Sequence, residues 1–417
     1  MSKGSFFHSI KIVVSGMAIA QLLPLLASLA IARIYAPAQF GLFATWLGIV
    51  MSAAVIVTGR LEMAIGLEED ANSRKQAVSI ILLTIVIISV ALWILLIIGY
   101  FFTSFFGQFG HGLLIAFFPA VLLAGAIQTW QAWAALEGLY SELSYIRVAQ
   151  SIGVTSIQIG VGFLAPNAES LALGYIFGLI CGFFISCYLM PISSNYSHLG
   201  FNFFANLRAL WVRHRRFPLF ALPADFINTF AAQLPLIAIA SRFGDDITGF
   251  YALTIRVLGA PISLMGAAVL DVFKKKSVES FLKYGNCRLE YIQALKTLSL
   301  LGIFFATLAA LVSEPMFVWG FGEPWRQSGI IAVWMVPMFA MRFIASPLSY
   351  VLYIAGKQHV DLIWQISLLV MTATSLYLPD SFEWAIKSYA MGYAFLYFVY
   401  IALSYRYSKK GISDNCN

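Results

Sequence analysis

Twelve stretches of about twenty mostly apolar residues follow one another along this chain, separated by short polar connections. An α-helix of that length crosses the hydrocarbon of a bilayer and satisfies its backbone amides within its own segment, which an isolated strand or loop cannot do. The stretches lie near 11–33, 38–58, 77–101, 112–134, 146–164 and 170–190, then near 218–241, 248–270, 294–315, 329–354, 361–377 and 385–404. Only 11% of the 417 residues are charged, against roughly 25% for a domain that must face water. Lipid is therefore the expected solvent, and the expected class is an all-α polytopic membrane protein of about 12 transmembrane helices. The first stretch ends at Ala30-Ile31-Ala32, which resembles a signal-peptide cleavage site, but its likeness to a later stretch argues that it is retained.

A net charge of +7 could suggest a nucleic-acid partner, but the charges sit between apolar stretches, so none is expected. With the N-terminus in the cytoplasm, about 20 of the 26 Lys and Arg fall on that side. They include Arg60, Arg74, Lys75, Arg208, Arg213, Arg215, Arg216, Lys274, Lys275, Lys276, Lys409 and Lys410. Arg33, Arg242, Arg326 and Lys387 lie opposite, while Arg256 and Arg342 sit inside apolar stretches. This bias places both termini in the cytoplasm, and a bacterial inner membrane is the expected location. Between 201 and 216, Phe203, Phe204, Leu207, Leu210 and Trp211 alternate with arginines. That pattern suits a helix lying against anionic lipid, and equally a plain basic linker.

The two halves repeat. Ala20-Gln21-Leu22-Leu23-Pro24, Ala32-Arg33 and Gly41-Leu42-Phe43-Ala44 return as Ala232-Gln233-Leu234-Pro235, Ser241-Arg242 and Gly249-Phe250-Tyr251-Ala252. Six helices separate the copies, so both enter the membrane in the same direction, a parallel repeat of the kind found in secondary transporters. The expected organisation is a six-helix lobe at 1–190, a basic cytoplasmic linker at 191–217, and a second lobe with a short tail at 218–417.

Polar groups do not face lipid, so polar stripes mark the helix faces that meet protein or water. Asp225, Asn228, Thr229 and Gln233 share one face, as do Arg342, Ser346, Ser349 and Tyr353. Arg256 shares its side with Gly259, Ser263 and Gly266, and Gln128, Gln131, Ser151, Thr155 and Gln158 add further polar positions. Together these stripes imply a hydrated central cavity. An arginine near the bilayer centre costs at least ~2.5 kcal/mol, so Arg256 and Arg342 need a compensating partner. That partner is either an anionic ligand, which guanidinium binds bidentately, or a structural group such as Asp225 or a helix carbonyl. The substrate-binding candidates are Arg256, Arg342, Gln233, Asn228 and Ser346. Asp225 is a candidate site for a coupling proton or sodium ion, or a counter-ion to an arginine. Gly174, Gly178 and Gly182 form a small-residue stripe for close helix packing.

No Gly-rich loop ending in Gly-Lys-Ser/Thr is present, so ATP is not expected to drive this chain directly. Cys181, Cys187, Cys287 and Cys416 show neither paired nor metal-ligand spacing, and no cofactor, metal or catalytic group is expected.

Several runs carry a family resemblance. They are Gly41-Leu42-Phe43-Ala44, Thr58-Gly59-Arg60-Leu61-Glu62-Met63-Ala64-Ile65, Phe217-Pro218 through Gln233-Leu234-Pro235, and Gly249-Phe250-Tyr251-Ala252 with Arg256, Pro261 and Ser263. Ser346-Pro347-Leu348-Ser349 and Lys357-Gln358 complete the set. With these the sequence resembles the Wzx-type O-antigen/polysaccharide flippases of the multidrug/oligosaccharidyl-lipid/polysaccharide exporter superfamily, whose fold is shared with the multidrug (MATE) exporters. The resemblance implies twelve helices in two six-helix lobes around a central cavity. It also implies movement of an undecaprenyl-diphosphate-linked oligosaccharide, an O-antigen or capsule repeat unit, from the cytoplasmic to the periplasmic leaflet. The implied partners are that lipid-linked oligosaccharide, membrane lipid and other polysaccharide-assembly membrane proteins. The link between the fourth and fifth stretches departs from the family, with Glu137-Gly138-Leu139 and a lone Arg147 where members often carry a basic stretch.

Two alternatives remain at this stage. A cation-coupled multidrug exporter of the same fold would favour acidic rather than basic lumen residues, and a membrane polymerase or ligase would need a sizeable outer loop. Topology is directly testable. A phosphatase reporter, which needs the oxidising periplasm, is expected to be active when fused near Asp380 and inactive near Arg215. Activity at Arg215 would reverse the orientation.

Overall fold

The computed structural model describes residues 3–68, 70–191 and 199–409. The side chains of 3–17, 71, 199–203, 263–265, 267, 268 and 271 lie outside the described set, and with them the sequence positions Phe203, Ser263 and Lys410 singled out above.

Each apolar stretch forms a helix. The first half contains α1 (Lys3–Ile34), α2 (Pro37–Val57), α3 (Ala71–Phe102), a single turn α4 (Ser104–Gly107), α5 (His111–Leu136), α6 (Tyr140–Gly162) and α7 (Ala168–Leu189). The amphipathic connection forms α8 (Leu199–Arg213). The second half contains α9 (Leu222–Phe243), α10 (Asp245–Tyr284), α11 (Arg288–Phe321), α12 (Arg326–Leu348), α13 (Tyr350–Ile354), α14 (Gln358–Tyr377) and α15 (Phe382–Ser408). Side chains set several starts: Asn167 Oδ1 accepts from the Ser170 amide at 2.9 Å, and the Ser381 hydroxyl accepts from the Trp384 amide at 3.3 Å. Asp70 caps α3 from outside the membrane span, and the Ser73 amide holds its carboxyl below the usual carboxylate range.

Among the described residues, nine segments are long and apolar enough to cross a membrane. The other three predicted stretches are α1, whose described apolar part is Ala18–Ile34, and the more polar α6 and α10. The chain is a multi-pass membrane protein. Two boundaries differ from the sequence expectation. Helix α10 continues past 270, through the lysine run, to Tyr284, because Lys side chains are good helix formers and no breaker intervenes before Gly285. The tenth stretch is broken at Ser349, where Pro347 has no N–H to donate back along the helix.

Contacts divide the chain into two compact units, Met1–Ile237 and Ala238–Asn417, so the division falls inside α9. In the first unit α5 is central and packs against α2, α3 and α7, while α6 lies between α1 and α7. In the second unit α12 is central and packs against α10, α11 and α15, while α14 packs on α15. Helix for helix, each pairing around α12 repeats one around α5, which is the parallel pseudo-repeat expressed as packing. A buried indole in the first unit and a half-buried one in the second donate to carbonyls, Trp46 Nε1 to Leu113 O and Trp364 Nε1 to Leu396 O, each at 2.9 Å. An apolar ring can thus sit in the core without stranding its N–H.

The small-residue stripe on α7 faces α6. A Cβ built on Gly178 would lie 2.3 Å from Val154 Cγ2 and 2.6 Å from the Gln150 carbonyl oxygen. One on Gly174 would lie 2.4 Å from Gln158 Cγ. Backbone approach therefore sets this interface. Gly178→Ala is expected to cost ~1–3 kcal/mol by overpacking and to lower the melting temperature in detergent. Gly160→Ala on the same helix pair, where nothing lies within 4 Å, is not expected to lower it. Equal melting temperatures for the two variants would refute the close-packed interface.

Candidate functional site

Two polar constellations occupy the spans, one in each unit. The first begins where α2 ends. Gly59 and Arg60 both adopt left-handed backbone, at φ 59° and 57°, before a 3₁₀ turn over Leu61–Leu67. Glycine does this freely, but for arginine it costs about 1 kcal/mol or more, so surrounding contacts must hold the turn in place. They are ionic: Arg60 Nε lies 2.7 Å from Asp225 Oδ2, and Arg60 Nη1 lies 3.1 Å from Glu62 Oε1. Gln128 Nε2 also donates to Glu62 Oε1, at 2.7 Å. Glu62 is buried, and its second oxygen has no hydrogen-bond partner among the described residues.

This cluster gives Asp225 a counter-ion that the sequence reading had counted only as a loop charge. The other members of its stripe are placed differently. Asn228 is exposed, Thr229 is half-buried, and Gln233 packs against α2, where a Cβ on Gly48 would stand 3.3 Å from its Oε1. The glycine makes room for the amide. Nearby, Glu68 is buried and bridges Arg213 Nη1 and His214 Nε2, each at 2.8 Å, which ties the end of α8 to the start of α3.

The second constellation surrounds Arg342 on α12. Its electrostatic neighbours are four phenols, Tyr251 on α10 and Tyr389, Tyr393 and Tyr397 on α15. The three on α15 recur at i, i+4 and i+8 and so share one helix face. Tyr251 is hydrogen-bonded to Tyr389 and Tyr393 to Tyr397, and the rings of Tyr389 and Tyr393 lie 5.5 Å apart. Among the described residues no carboxylate pairs with Arg342. Its side chain is exposed within its own unit, as is Ser346 one turn along. Arg256 on α10 is half-buried and engaged with the protein. On the same side of α10, a Cβ on Gly259 or Gly266 would meet nothing within 4 Å.

The aromatic layer continues to a group that the sequence reading took for a helix boundary. Asp361, in the first turn of α14, is buried. It accepts from Tyr353 Oη at 3.0 Å, from Gln365 Nε2 at 2.8 Å, and from Tyr400 Oη. Tyr400 in turn stacks on Trp364, with ring centroids 4.2 Å apart. The signal that could have found it is the acid itself, placed against an apolar run with tyrosines on a neighbouring stretch. At the C-terminal end of α9, Arg242 Nη1 donates to the Leu376 and Pro379 carbonyls at 2.6 and 3.0 Å. It satisfies the open end of α14, a structural duty.

With this geometry in view, comparison with known proteins is informative. A family profile described as polysaccharide biosynthesis protein matches residues 30–330. The chain belongs to this family. No curated protein matches it by sequence. Polysaccharide biosynthesis family members aside, the fold is shared with solved transporters. The lipid II flippase MurJ in an inward closed conformation superposes with a TM-score of 0.71 at 13% identity, covering 94% of this chain and 87% of that one. An inward-facing multidrug-resistance MATE transporter of the MOP superfamily gives 0.59 at 14% identity, covering 94% of each chain. The Vibrio cholerae MATE transporter VcmN gives 0.54 at 13% identity, covering 96% of this chain and 95% of that one. The family member described here therefore has the MATE/MurJ-like fold that the sequence resemblance implied.

The Arg60–Asp225 pair is testable in this family member by a double-mutant cycle on stability. Arg60→Ala and Asp225→Ala are each expected to destabilise the protein, with a coupling energy of about 1–2 kcal/mol, reduced from a fully buried pair by partial exposure. Additive single effects would show that the two side chains do not act together.

Proposed function

We propose that the protein is a flippase for an undecaprenyl-diphosphate-linked oligosaccharide, an O-antigen or capsule repeat unit. In this reading it carries the unit from the cytoplasmic to the periplasmic leaflet of a bacterial inner membrane by alternating access. Arg342 is the observation that supports the reading most strongly. It is a guanidinium in a spanning helix, surrounded by neutral phenols and accessible within its unit. A charge at that depth needs a counter-charge, and a diphosphate supplies one with the bidentate geometry that guanidinium prefers. Phenolic hydroxyls can donate to the same phosphate oxygens or to sugar hydroxyls, and their rings can pack against sugar faces. Arg256 and Ser346 extend this surface. Asn228 is the free polar group on the α9 stripe, and Gln233 supports the stripe from within.

Membership in a polysaccharide-biosynthesis family and the likeness to a lipid II flippase both support a lipid-linked substrate. The MATE likeness keeps the drug-exporter alternative in the same fold, but a bare arginine repels organic cations. The alternation of the two lobes, 1–190 and 218–417 about the basic stretch 191–217, is part of the same proposal. So are the cytoplasmic termini and cooperation with other polysaccharide-assembly membrane proteins. Asp225 is held by Arg60, which favours the counter-ion role over ion coupling.

Deleting the gene is expected to remove surface polysaccharide and to accumulate lipid-linked repeat units at the cytoplasmic face. In the complemented strain, Arg342→Glu is expected to abolish surface polysaccharide at normal protein abundance, because it sets a like charge against the ligand. Arg342→Lys is expected to retain part of it, since lysine keeps the charge but loses the planar fork. Full transport by Arg256→Ala and Arg342→Ala, each at wild-type abundance, would overturn the anion-site reading.

A further inference from the structure

The first unit contains a cavity of about 540 Å³, bounded by α3, α8 and the start of α9. Thr84 and Ile88 of α3, Leu207 and Trp211 of α8, and Leu222 line it together with a single charged group, Arg208. The walls are otherwise apolar, and the neighbouring face of α3 exposes Leu83, Ile87, Val90 and Ile94, so the cavity stands beside lipid-facing surface. Arg208 differs from Arg60, Arg74 and Arg213, which are engaged elsewhere. Arg60 is paired with Asp225 and Glu62, Arg74 lies 3.6 Å from Glu137, and Arg213 is paired with Glu68. No hydrogen bond or ion pair engages Arg208 among the described residues. Five residues separate it from Arg213, which is anchored at the start of α3. That is about 7–8 Å along a helix, and the cavity wall runs from Arg208 across to Ile88 of α3.

A cation with no partner among the described residues, in the wall of an otherwise apolar cavity, is complementary to an amphiphile with a phosphate head and a hydrocarbon tail. We infer that this groove holds the polyprenyl tail of the phosphate-linked carrier, with Arg208 contacting its phosphate group before transfer. The inference rests on the flippase reading for the identity of the carrier. It adds a docking site on the first unit, away from Arg342. The groove also touches Gly59 and Leu61, which flank Arg60, so an occupant would press directly on the strained turn that holds Asp225 and Glu62.

The test uses the full protein in nanodiscs of phosphatidylethanolamine and phosphatidylglycerol doped with a polyprenyl phosphate. A photo-crosslinking phenylalanine analogue replaces Leu207 in the groove or, as a control, Leu95 on the exposed face of α3. Crosslinks to polyprenyl phosphate, relative to phospholipid, are expected to be strongly enriched at position 207 over position 95. Arg208→Ala is expected to reduce the enrichment about tenfold, the value of one charge-assisted hydrogen bond, and Arg208→Lys to restore part of it. Ile88→Trp, which fills the cavity, is expected to reduce it without altering crosslinking at 95. Equal polyprenyl labelling at both positions, or labelling at 207 by phosphatidylglycerol alone, would overturn the groove assignment. The flippase reading fails separately: if polyprenyl phosphate labels the groove but gene deletion leaves surface polysaccharide intact, the groove stands and the transport assignment falls.

Discussion

A charged or acidic side chain in or beside a membrane-spanning helix needs a polar partner within reach, and the organisation of this protein follows from which partner each one finds. Arg60 finds Asp225 and Glu62, and in doing so stabilises a left-handed turn that arginine would otherwise avoid. Glu68 finds Arg213 and His214 and thereby fixes the amphipathic helix to the first unit. Arg242 finds carbonyls at the end of α14. Asp361 has no cation partner among the described residues but receives two phenols and an amide. Among the described residues Arg342 has four phenols as its electrostatic neighbours and no carboxylate. The compensated charges build the scaffold, and the arginine without an acid is where we propose that a ligand's charge binds.

The same solvent also dictates the packing. Lipid offers no hydrophobic drive between helices, so association depends on close fit and satisfied polar groups. Glycines on α7 let α6 approach to backbone contact, and Gly48 admits the Gln233 amide. The pairings around α5 are repeated around α12, consistent with one packing solution used twice in the chain. Differences between the halves are where chemistry accumulates. Among the described residues α15 carries a ladder of tyrosines that α7 lacks, and the first unit has a charged turn after its second helix.

Much of this was legible in the residues before any coordinates. The helices, their order, the doubled architecture and the family could be read because each rests on local composition or on direct repetition. Gly174, Gly178 and Gly182 could be read as a packing stripe because their spacing alone puts them on one helix face. Partner identity was harder. Asp225 could be placed on a polar face, but nothing in the sequence tied it to Arg60, some 165 residues earlier. Asp361 looked like the edge of an apolar run, because its phenolic donors lie on other segments.

What the sequence determined by itself is the solvent, the helical class and where along the chain the charges fall. Chain composition and a backbone that must satisfy its own amides in lipid leave no other choice. What only the tertiary structure decided is which of those charges are compensated. Arg60 and Arg342 are the same residue type, yet among the described residues one meets two carboxylates and the other has four tyrosines as its electrostatic neighbours. Pairing energy depends on distances of a few ångströms between segments far apart in the chain, and helix periodicity carries no information about that distance.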